Sequence, residues 1–464
     1  MSDGFGNMHL KINSHQELSI IILSFLLFIG TILRFYQIGT TSLWLDEVMT
    51  YQFSINPFLE YWNLISAGGE VHPPLFYWIE WTALKFGNNE FVLRFFPAIF
   101  GILSIPLIYF LGLELFNRVE VGLLAAALLT FSPFHIIYSQ EARMYSLVLL
   151  FMVLALIAYI RAIRTNEMKD WVLFAVFSAL TLWTHFYPAI FIGILYLAAL
   201  YRNTQYVKRI AASFVLFVLI FLPLIPIAVQ LFSVRTEGLP SWGLSALAFL
   251  ISTLIKFSFS STIGLIVLFS IFIVGIIELK NKEMRDLALG LIFILIISSA
   301  LAFRMPMVER YILFLLPVYY VGIAGVYSLF KEKENKKMIF PVIFLWIVLL
   351  SMPGLIGYYT EGEYYDWRGA AGYLSDNKTE FDSLLVMPGY NSVPLEYYYT
   401  PENIEIMKIS TMEELNFSFP DSRDYIIYTN DVRATDSRLF NRLNENTTPI
   451  WKGSGVIIAK ISQD

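Results

Sequence analysis

Apolar blocks of roughly 20 residues recur along this chain, with charged residues confined to the gaps between them. A helix needs about 20 residues to cross the ~30 Å hydrocarbon core of a bilayer. Inside lipid, only helices and closed barrels satisfy all of their own backbone hydrogen bonds. The pattern predicts a polytopic, all-α membrane protein. Composition agrees: hydrophobic residues make up 57% of the chain, charged residues 15%, and mean hydropathy is +0.62. A soluble domain is nearer half apolar and a quarter charged.

Hydropathy predicts about eleven spans: Leu18–Tyr36, Phe91–Phe116, Val121–Ile137, Met144–Ile163, Trp171–Thr184, Tyr187–Tyr201, Ile210–Phe232, Thr262–Ile277, Leu287–Phe303, Tyr311–Phe330 and Met338–Tyr358. The fifth and sixth are short and separated only by His185-Phe186, as in a hairpin or a broken pair. Leu244–Phe259 is apolar but interrupted by serines and Lys256, which predicts a helix lying in the interface. The first block has no small-residue cleavage site and is read as a retained span.

Lysine and arginine collect in alternate loops: Arg118; Arg161, Arg164 and Lys169; Arg202, Lys208 and Arg209; Lys280, Lys282 and Arg285; Lys331 to Lys337. By the positive-inside rule these loops are cytoplasmic. The N-terminus is then cytoplasmic too, while the Gln37–Glu90 loop and the C-terminal domain are extracytoplasmic. A multi-pass protein of the plasma membrane is expected.

From about residue 359 the character changes, predicting a membrane domain over 1–358 and a soluble domain over 359–464. Helix-like stretches at Trp367–Ser375 and Asp436–Leu443 alternate with β-rich runs at Ser383–Met387, Tyr425–Tyr428 and Val456–Ile461. That alternation predicts a small α/β domain. Its sequons at Asn377, Asn416 and Asn446 are within chance for such a surface. The chain has no cysteine, which excludes disulfides, iron–sulfur clusters and cysteine-ligated zinc. A net charge of −5 with no basic stripe gives no sign of nucleic acid as a partner.

Chemistry-bearing residues gather in a few segments of the predicted outer face. Just past the first span stands Ser42-Leu43-Trp44-Leu45-Asp46-Glu47. Adjacent carboxylates at a membrane surface are costly unless used or paired, and desolvation would raise the basicity of one of them, as a general base requires. The alternative is a pair of favourable first-turn acids opening a helix. Further along come Glu70-Val71-His72-Pro73-Pro74-Leu75 and an aromatic run with Tyr77, Trp78 and Trp81. Val48–Leu64 and Leu75–Phe86 therefore read as interfacial helices. His72 is either a structural helix-start residue or a contact for a phosphate or metal. The turn Tyr138-Ser139-Gln140-Glu141-Ala142-Arg143-Met144-Tyr145 holds Glu141 and Arg143, a structural pair or a functional one. Arg304-Met305-Pro306-Met307-Val308-Glu309-Arg310-Tyr311 places two arginines where they can bind a lipid phosphate or anchor helices at headgroups. Charge at that depth is expensive, so its collection on one face points to a single site.

At these residues the chain resembles the C-type (GT-C) glycosyltransferases, most closely the branch with protein O-mannosyltransferases and the lipid A aminoarabinose transferase. The resemblance rests on Leu43-Trp44-Leu45-Asp46-Glu47, His72-Pro73-Pro74-Leu75, Gln140-Glu141-Ala142-Arg143-Met144-Tyr145, Arg310-Tyr311 and Asp366-Trp367-Arg368. It implies transfer of a sugar from a polyprenyl-phosphate donor to a glycan, glycolipid or protein acceptor at the outer face. Asp46 matches the proposed catalytic base and Glu47 its neighbour. Where the aminoarabinose transferase has a lysine before Pro-Pro, this chain has His72 with no carboxylate immediately before it, and so departs from that relative's pattern for metal binding. A divalent metal ion stays open, with Asp46, Glu47, His72 and Glu141 as ligands, though no spacing fixes a site. In an inverting transfer, Asp46 takes the acceptor's proton while Arg143, Arg304 or Arg310, with His72, receive the departing phosphate. Tyr145 and His185 line the pocket in this reading.

The rival readings are a secondary transporter or flippase, a non-catalytic scaffold, and a polymerase or ligase of lipid-linked glycans. Transporters of this size usually show repeated halves with binding residues at mid-membrane. No repeat is visible here, and only the short pair around Thr184–Pro188 favours transport.

Overall fold

The computed structural model describes residues 14–66, 72–236, 243–330, 336–360, 364–400, 404–409, 424–435 and 437–461. Helices α1 (Ser14–Phe35), α2 (Leu45–Ser54), α3 (Phe58–Ser66), α4 (Leu75–Ala83), α5 (Glu90–Phe116), α6 (Val119–Thr130), α7 (Pro133–Ser139), α8 (Tyr145–Thr165), α9 (Met168–Thr184) and α10 (Ala189–Arg202) form the first half. Seven helical segments among the described residues are long and apolar enough to span a membrane, nine if two bent pairs each count as one span. The predicted eleven differ from this because α9 and α10, at 17 and 14 residues, are short, and because two spans are broken.

Each break has a local cause. The expected continuous span Val121–Ile137 is instead α6 and α7, bent by 62°. Pro133 cannot donate a helical hydrogen bond, and the Ser132 hydroxyl caps α7 by accepting from the His135 N–H at 3.3 Å. The segment read as an interfacial helix over Leu244–Phe259 is Ala246–Phe257, which meets Thr262–Glu278 at 87°, so the two together form a broken span or a re-entrant loop. The expected interfacial helix over Val48–Leu64 is also two helices, α2 and α3. Pro57 disfavours helical backbone at Asn56, and the chain turns there.

The most enclosed spans are α8 and Glu309–Leu329, each 83% buried within the protein. α8 packs against α5, α9 and the turn Glu309–Leu315, so the loop at its start is held from three sides. One buried polar contact ties α1 into this bundle. Arg34, fully buried, donates to the carbonyls of Gly30 and Leu129 at 3.1 Å and meets His135 Nδ1 at 2.7 Å.

The C-terminal part is the expected small α/β unit. Five strands, β1 (Ser383–Met387), β2 (Glu405–Lys408), β3 (Asp424–Thr429), β4 (Thr447–Lys452) and β5 (Val456–Ile461), form one sheet of order β2-β1-β3-β5-β4. The first three run parallel and β5 and β4 antiparallel. Strands β1 and β5 keep their predicted bounds. β2, β4 and the helix Ser392–Tyr398 were not foreseen, and Asn416 and Asp436 lie outside the described residues.

This unit docks on the loop between α1 and α2. The Tyr398 hydroxyl accepts from the Leu43 N–H at 2.7 Å and donates to Glu90 Oε1 at 2.7 Å. Arg368 pairs with Glu90, and its N–H donates to Ser42 Oγ at 3.1 Å. Tyr397 stacks edge-on against Tyr51 with ring centres 5.0 Å apart. Tyr398→Phe strands the Leu43 N–H and leaves Glu90 with Arg368 alone, at a cost of about 1–3 kcal/mol. Amide exchange at residues 41–47 is therefore expected to speed up roughly tenfold or more, while exchange within β1 and β3 stays as in the native protein.

Candidate functional site

The geometry of a helix start places Asp46 and Glu47 in different surroundings, although they are neighbours in sequence. Both sit in the first turn of α2, where successive side chains point about 100° apart. Glu47 turns inward and is fully buried. Arg94 of α5 grips it with two bonds, Nε to Oε1 and Nη2 to Oε2, both 2.7 Å. The Ala142 N–H donates to Oε1 at 2.8 Å and the Trp44 N–H to Oε2 at 3.3 Å. Arg94 also donates to the carbonyls of Ile38, Thr41 and Ser42 at 3.0 Å. This charge-assisted hub pins the first loop to α5 and to the turn before α8.

Asp46 turns the other way, and its side chain is about a quarter exposed. Arg310 Nη2 pairs with Oδ2 at 3.2 Å. The Arg310 guanidinium also lies 5.2 Å from the Trp44 ring centre and 6.0 Å from that of Tyr311. Arg143 Nη1 donates to the Asp46 carbonyl and to the Thr50 hydroxyl, both at 3.1 Å. Arg143 thereby holds the backbone that carries Asp46, while Arg310 meets its carboxylate.

From Arg310 a line of rings leads away from Asp46. Tyr311 stands 5.4 Å from Tyr187 and 5.7 Å from His185; His185 stands 6.0 Å from Tyr145 and 6.2 Å from His72. His72, His185, Tyr187 and Tyr311 line a pocket of about 420 Å³ with Leu231 and Met305. Asp46, Arg143, Tyr145, His185, His72 and Arg310 are thus brought to one place. Arg304 is not: it is exposed, and among the described residues no bond of the Asp46 cluster involves it. Glu70 lies outside the described residues.

On the far side of Trp44 lies a second pocket, of about 690 Å³, lined by Trp44, Glu141, Thr41, Tyr358, Tyr364 and Tyr365 among others. Burial pushes the Glu141 carboxyl up to about 8, helped by the neighbouring Glu47. Glu80 of α4, which the sequence did not single out, is fully buried; burial, then Glu47, raises it well above the usual carboxylate range. Like charges beside a paired carboxylate cannot all ionise in low dielectric. Around Glu47, therefore, burial favours the protonated form of both Glu141 and Glu80.

Glu141 gives a pH test. The folded protein holds this proton up to about 8, whereas a carboxyl of ordinary value, 4.5, has lost it. Between those values the folded state binds more protons than the unfolded one, so stability falls as pH rises. The thermal midpoint of Glu141→Gln is expected to decline less between pH 5 and 8.5 than that of the native protein. Parallel declines contradict the assignment.

No group of three or more His, Asp or Glu side chains placed to hold a metal occurs among the described residues. Asp46 and Glu47 each face an arginine, and His72 and His185 stand apart from them. The donor set does not converge on one ion, and no step below is routed through a metal.

Comparison with known proteins follows the same lines. Residues 71–229 match the family model described as dolichyl-phosphate-mannose-protein mannosyltransferase. An uncharacterised protein of Aquifex aeolicus (strain VF5) is 32% identical over 107 residues, which is 22% of this chain and 21% of that one. The match thus spans about a fifth of that relative's length. Among solved structures, ArnT from Cupriavidus metallidurans bound to undecaprenyl phosphate superposes with a TM-score of 0.60 at 11% identity, covering 96% of this chain and 98% of that one. The likeness to ArnT is one of fold. The Archaeoglobus fulgidus oligosaccharyltransferase AglB, in complex with an inhibitory peptide and a dolichol-phosphate, gives 0.56 at 12% identity, covering 97% of this chain and 75% of that one. Within this shared fold the soluble unit meets the first long loop.

Proposed function

We propose that this GT-C protein transfers a sugar from a polyprenyl-phosphate donor to an acceptor hydroxyl at the extracytoplasmic face, with inversion and with Asp46 as general base. The observation that carries the reading is the division of labour between Asp46 and Glu47. One carboxylate is locked in a buried pair; the other is partly open, beside a cation. The fold shared with proteins solved with undecaprenyl phosphate and dolichol-phosphate supports the donor class.

In this mechanism the acceptor oxygen attacks the anomeric carbon while Asp46 takes its proton. The bond from that carbon to the phosphate oxygen breaks, and its electron pair leaves with the polyprenyl phosphate. Charge grows on the phosphate as it departs, and Arg310 is placed to stabilise it. The ring-lined pocket of His72, His185 and Tyr311 takes the donor headgroup, and its Leu231 and Met305 wall faces the lipid tail. Glu47 and Arg143 act as positioning residues. The C-terminal unit, gripping Ser42 and Leu43, holds the loop in register with Glu90.

The test is protein in lipid, incubated with a panel of polyprenyl-phosphate sugars that differ in the sugar. One donor class should be consumed, with free polyprenyl phosphate released. If every donor survives and solute or lipid crosses the bilayer instead, a transporter replaces this reading.

A further inference from the structure

Two residues that line the 690 Å³ pocket each carry a buried polar atom that lacks a hydrogen-bond partner among the described residues: Trp44 its Nε1 and Glu141 its Oε2. Each such atom carries a desolvation cost of about 1–3 kcal/mol and calls for an explanation. One is a donor. The other belongs to a carboxyl that burial keeps protonated up to about 8, so it can donate or accept.

The rest of the pocket narrows what satisfies them. Four tyrosines, Tyr358, Tyr359, Tyr364 and Tyr365, share its lining with Trp44. The one guanidinium in the lining, Arg94, is already neutralised by Glu47 through two 2.7 Å bonds. Aromatic faces with separate, uncharged hydrogen-bonding groups match a ring that carries hydroxyls on its edge and C–H bonds on its faces. They match a phosphate poorly, since a phosphate brings charge that nothing unpaired here receives.

The position is also informative. Trp44, which lines this pocket, also lies 5.2 Å from the guanidinium of Arg310, the partner of Asp46. The donor headgroup is assigned to the other pocket, so this one is left to the acceptor. Its outer wall belongs to the C-terminal unit. The Tyr365 hydroxyl donates to Asp431 Oδ1 at 2.6 Å, and Asn391 joins Thr429 at 2.9 Å. Asn391 follows β1, Thr429 ends β3 and Asp431 follows it. With sheet order β2-β1-β3, the chain leaves β1 and β3 in opposite directions at this point, which is where open α/β sheets place ligands.

We infer that the pocket between Trp44, Glu141 and Tyr365 is the acceptor subsite and that it takes an uncharged pyranose of a saccharide acceptor. This rests on the proposed transfer reaction for the word acceptor; the saccharide site itself does not need turnover. Trp44 Nε1 donates to one ring hydroxyl and Glu141 exchanges hydrogen bonds with another, while Tyr365 closes the outer side. The C-terminal unit then discriminates among acceptors through a wall it holds in place with Asp431.

The experiment uses the full chain in lipid nanodiscs without donor, with a panel of neutral methyl glycosides and disaccharides followed by saturation-transfer NMR. At least one glycoside should bind, and Trp44→Phe and Glu141→Leu should each weaken it roughly tenfold, the equivalent of one lost hydrogen bond at the upper end of its range. Undecaprenyl phosphate binding is measured on the same samples, and thermal midpoints show that each variant is folded. If Glu141→Leu is unfolded, Trp44→Phe carries the test. The inference is overturned if no glycoside binds, if the variants bind as the native protein does, if a Ser/Thr peptide binds there in place of glycosides, or if undecaprenyl phosphate is lost in parallel. Saccharide binding that survives alongside a total absence of sugar transfer would instead overturn the proposed reaction and leave the saccharide site standing.

Discussion

Replacing Asp46 by Asn is expected to lower the rate of sugar transfer by about 10²–10⁴-fold, the usual worth of a positioned general base. The amide keeps the shape of the carboxylate but cannot take the acceptor's proton. Because Asn no longer neutralises Arg310, affinity for the anionic donor should hold or rise. The signature is therefore a fall in kcat without a rise in donor KM and with a native thermal midpoint, a combination that substitution at the neighbouring position should not reproduce. Asp46→Glu places the base more than one bond length further out, and should recover only a small part of the rate, since transfer depends on near-attack geometry. Donor turnover at equal protein and lipid content measures both variants. An Asp46→Asn enzyme as fast as the native one moves the base elsewhere.

The second large effect is on stability. Arg94→Met leaves the Glu47 carboxylate buried without its cation, and breaking a buried pair from one side costs about 3–5 kcal/mol. Glu47→Gln leaves Arg94 in the same position. Both single variants should show a thermal midpoint several degrees below that of the native protein in detergent, together with loss of transfer, because the first turn of α2 is no longer fixed. The double variant Glu47→Gln/Arg94→Gln removes both charges, and it should recover part of the stability but little of the rate. Were Glu47 itself the proton acceptor, Glu47→Gln would instead cost rate while leaving the midpoint close to native. Thermal unfolding followed by tryptophan fluorescence, beside donor turnover on the same samples, separates the two.

How far the chain could be read before its structure depended on whether a signal was local. The membrane class and the α/β character of the C-terminal part follow from hydrophobic period and run length. Strands β1 and β5 could be bounded to the residue because each is a buried apolar run with a sharp polar edge. Strand β4 escaped because Thr447-Thr448-Pro449 reads as a loop, yet it is an edge strand with a bulge at Pro449, where proline is tolerated. The breaks at Asn56-Pro57 and Ser132-Pro133 were written in the sequence as proline signals; hydropathy smoothed across them.

The site divides in the same way. Asp46, Glu47, Arg143 and Arg310 announce themselves as charges at a membrane surface. Which of two adjacent carboxylates is buried does not follow from sequence, because the answer sits 47 residues away in Arg94 and 95 away in the Ala142 N–H. Arg94 carries a signal of its own, a charge just inside a predicted span, but its partner is a matter of tertiary packing. Tyr398 lies 355 residues from the Leu43 N–H it accepts, and nothing local marks it among the tyrosines at 397 to 399. Glu80 looks like one more acid in an aromatic helix. Only the packing of α4 on α2 removes it from water.

Transfer itself is tested by supplying native protein with a single-anomer polyprenyl-phosphate sugar and a saccharide acceptor. Free polyprenyl phosphate and glycoside product are then quantified, and the product's anomeric configuration is read by NMR. One polyprenyl phosphate should be released per glycoside formed, with the configuration inverted, and both products should form from Asp46→Asn at a rate lower by about 10²–10⁴-fold. Retained configuration, or donor consumed without acceptor glycosylation, would contradict an inverting transfer with Asp46 as its base.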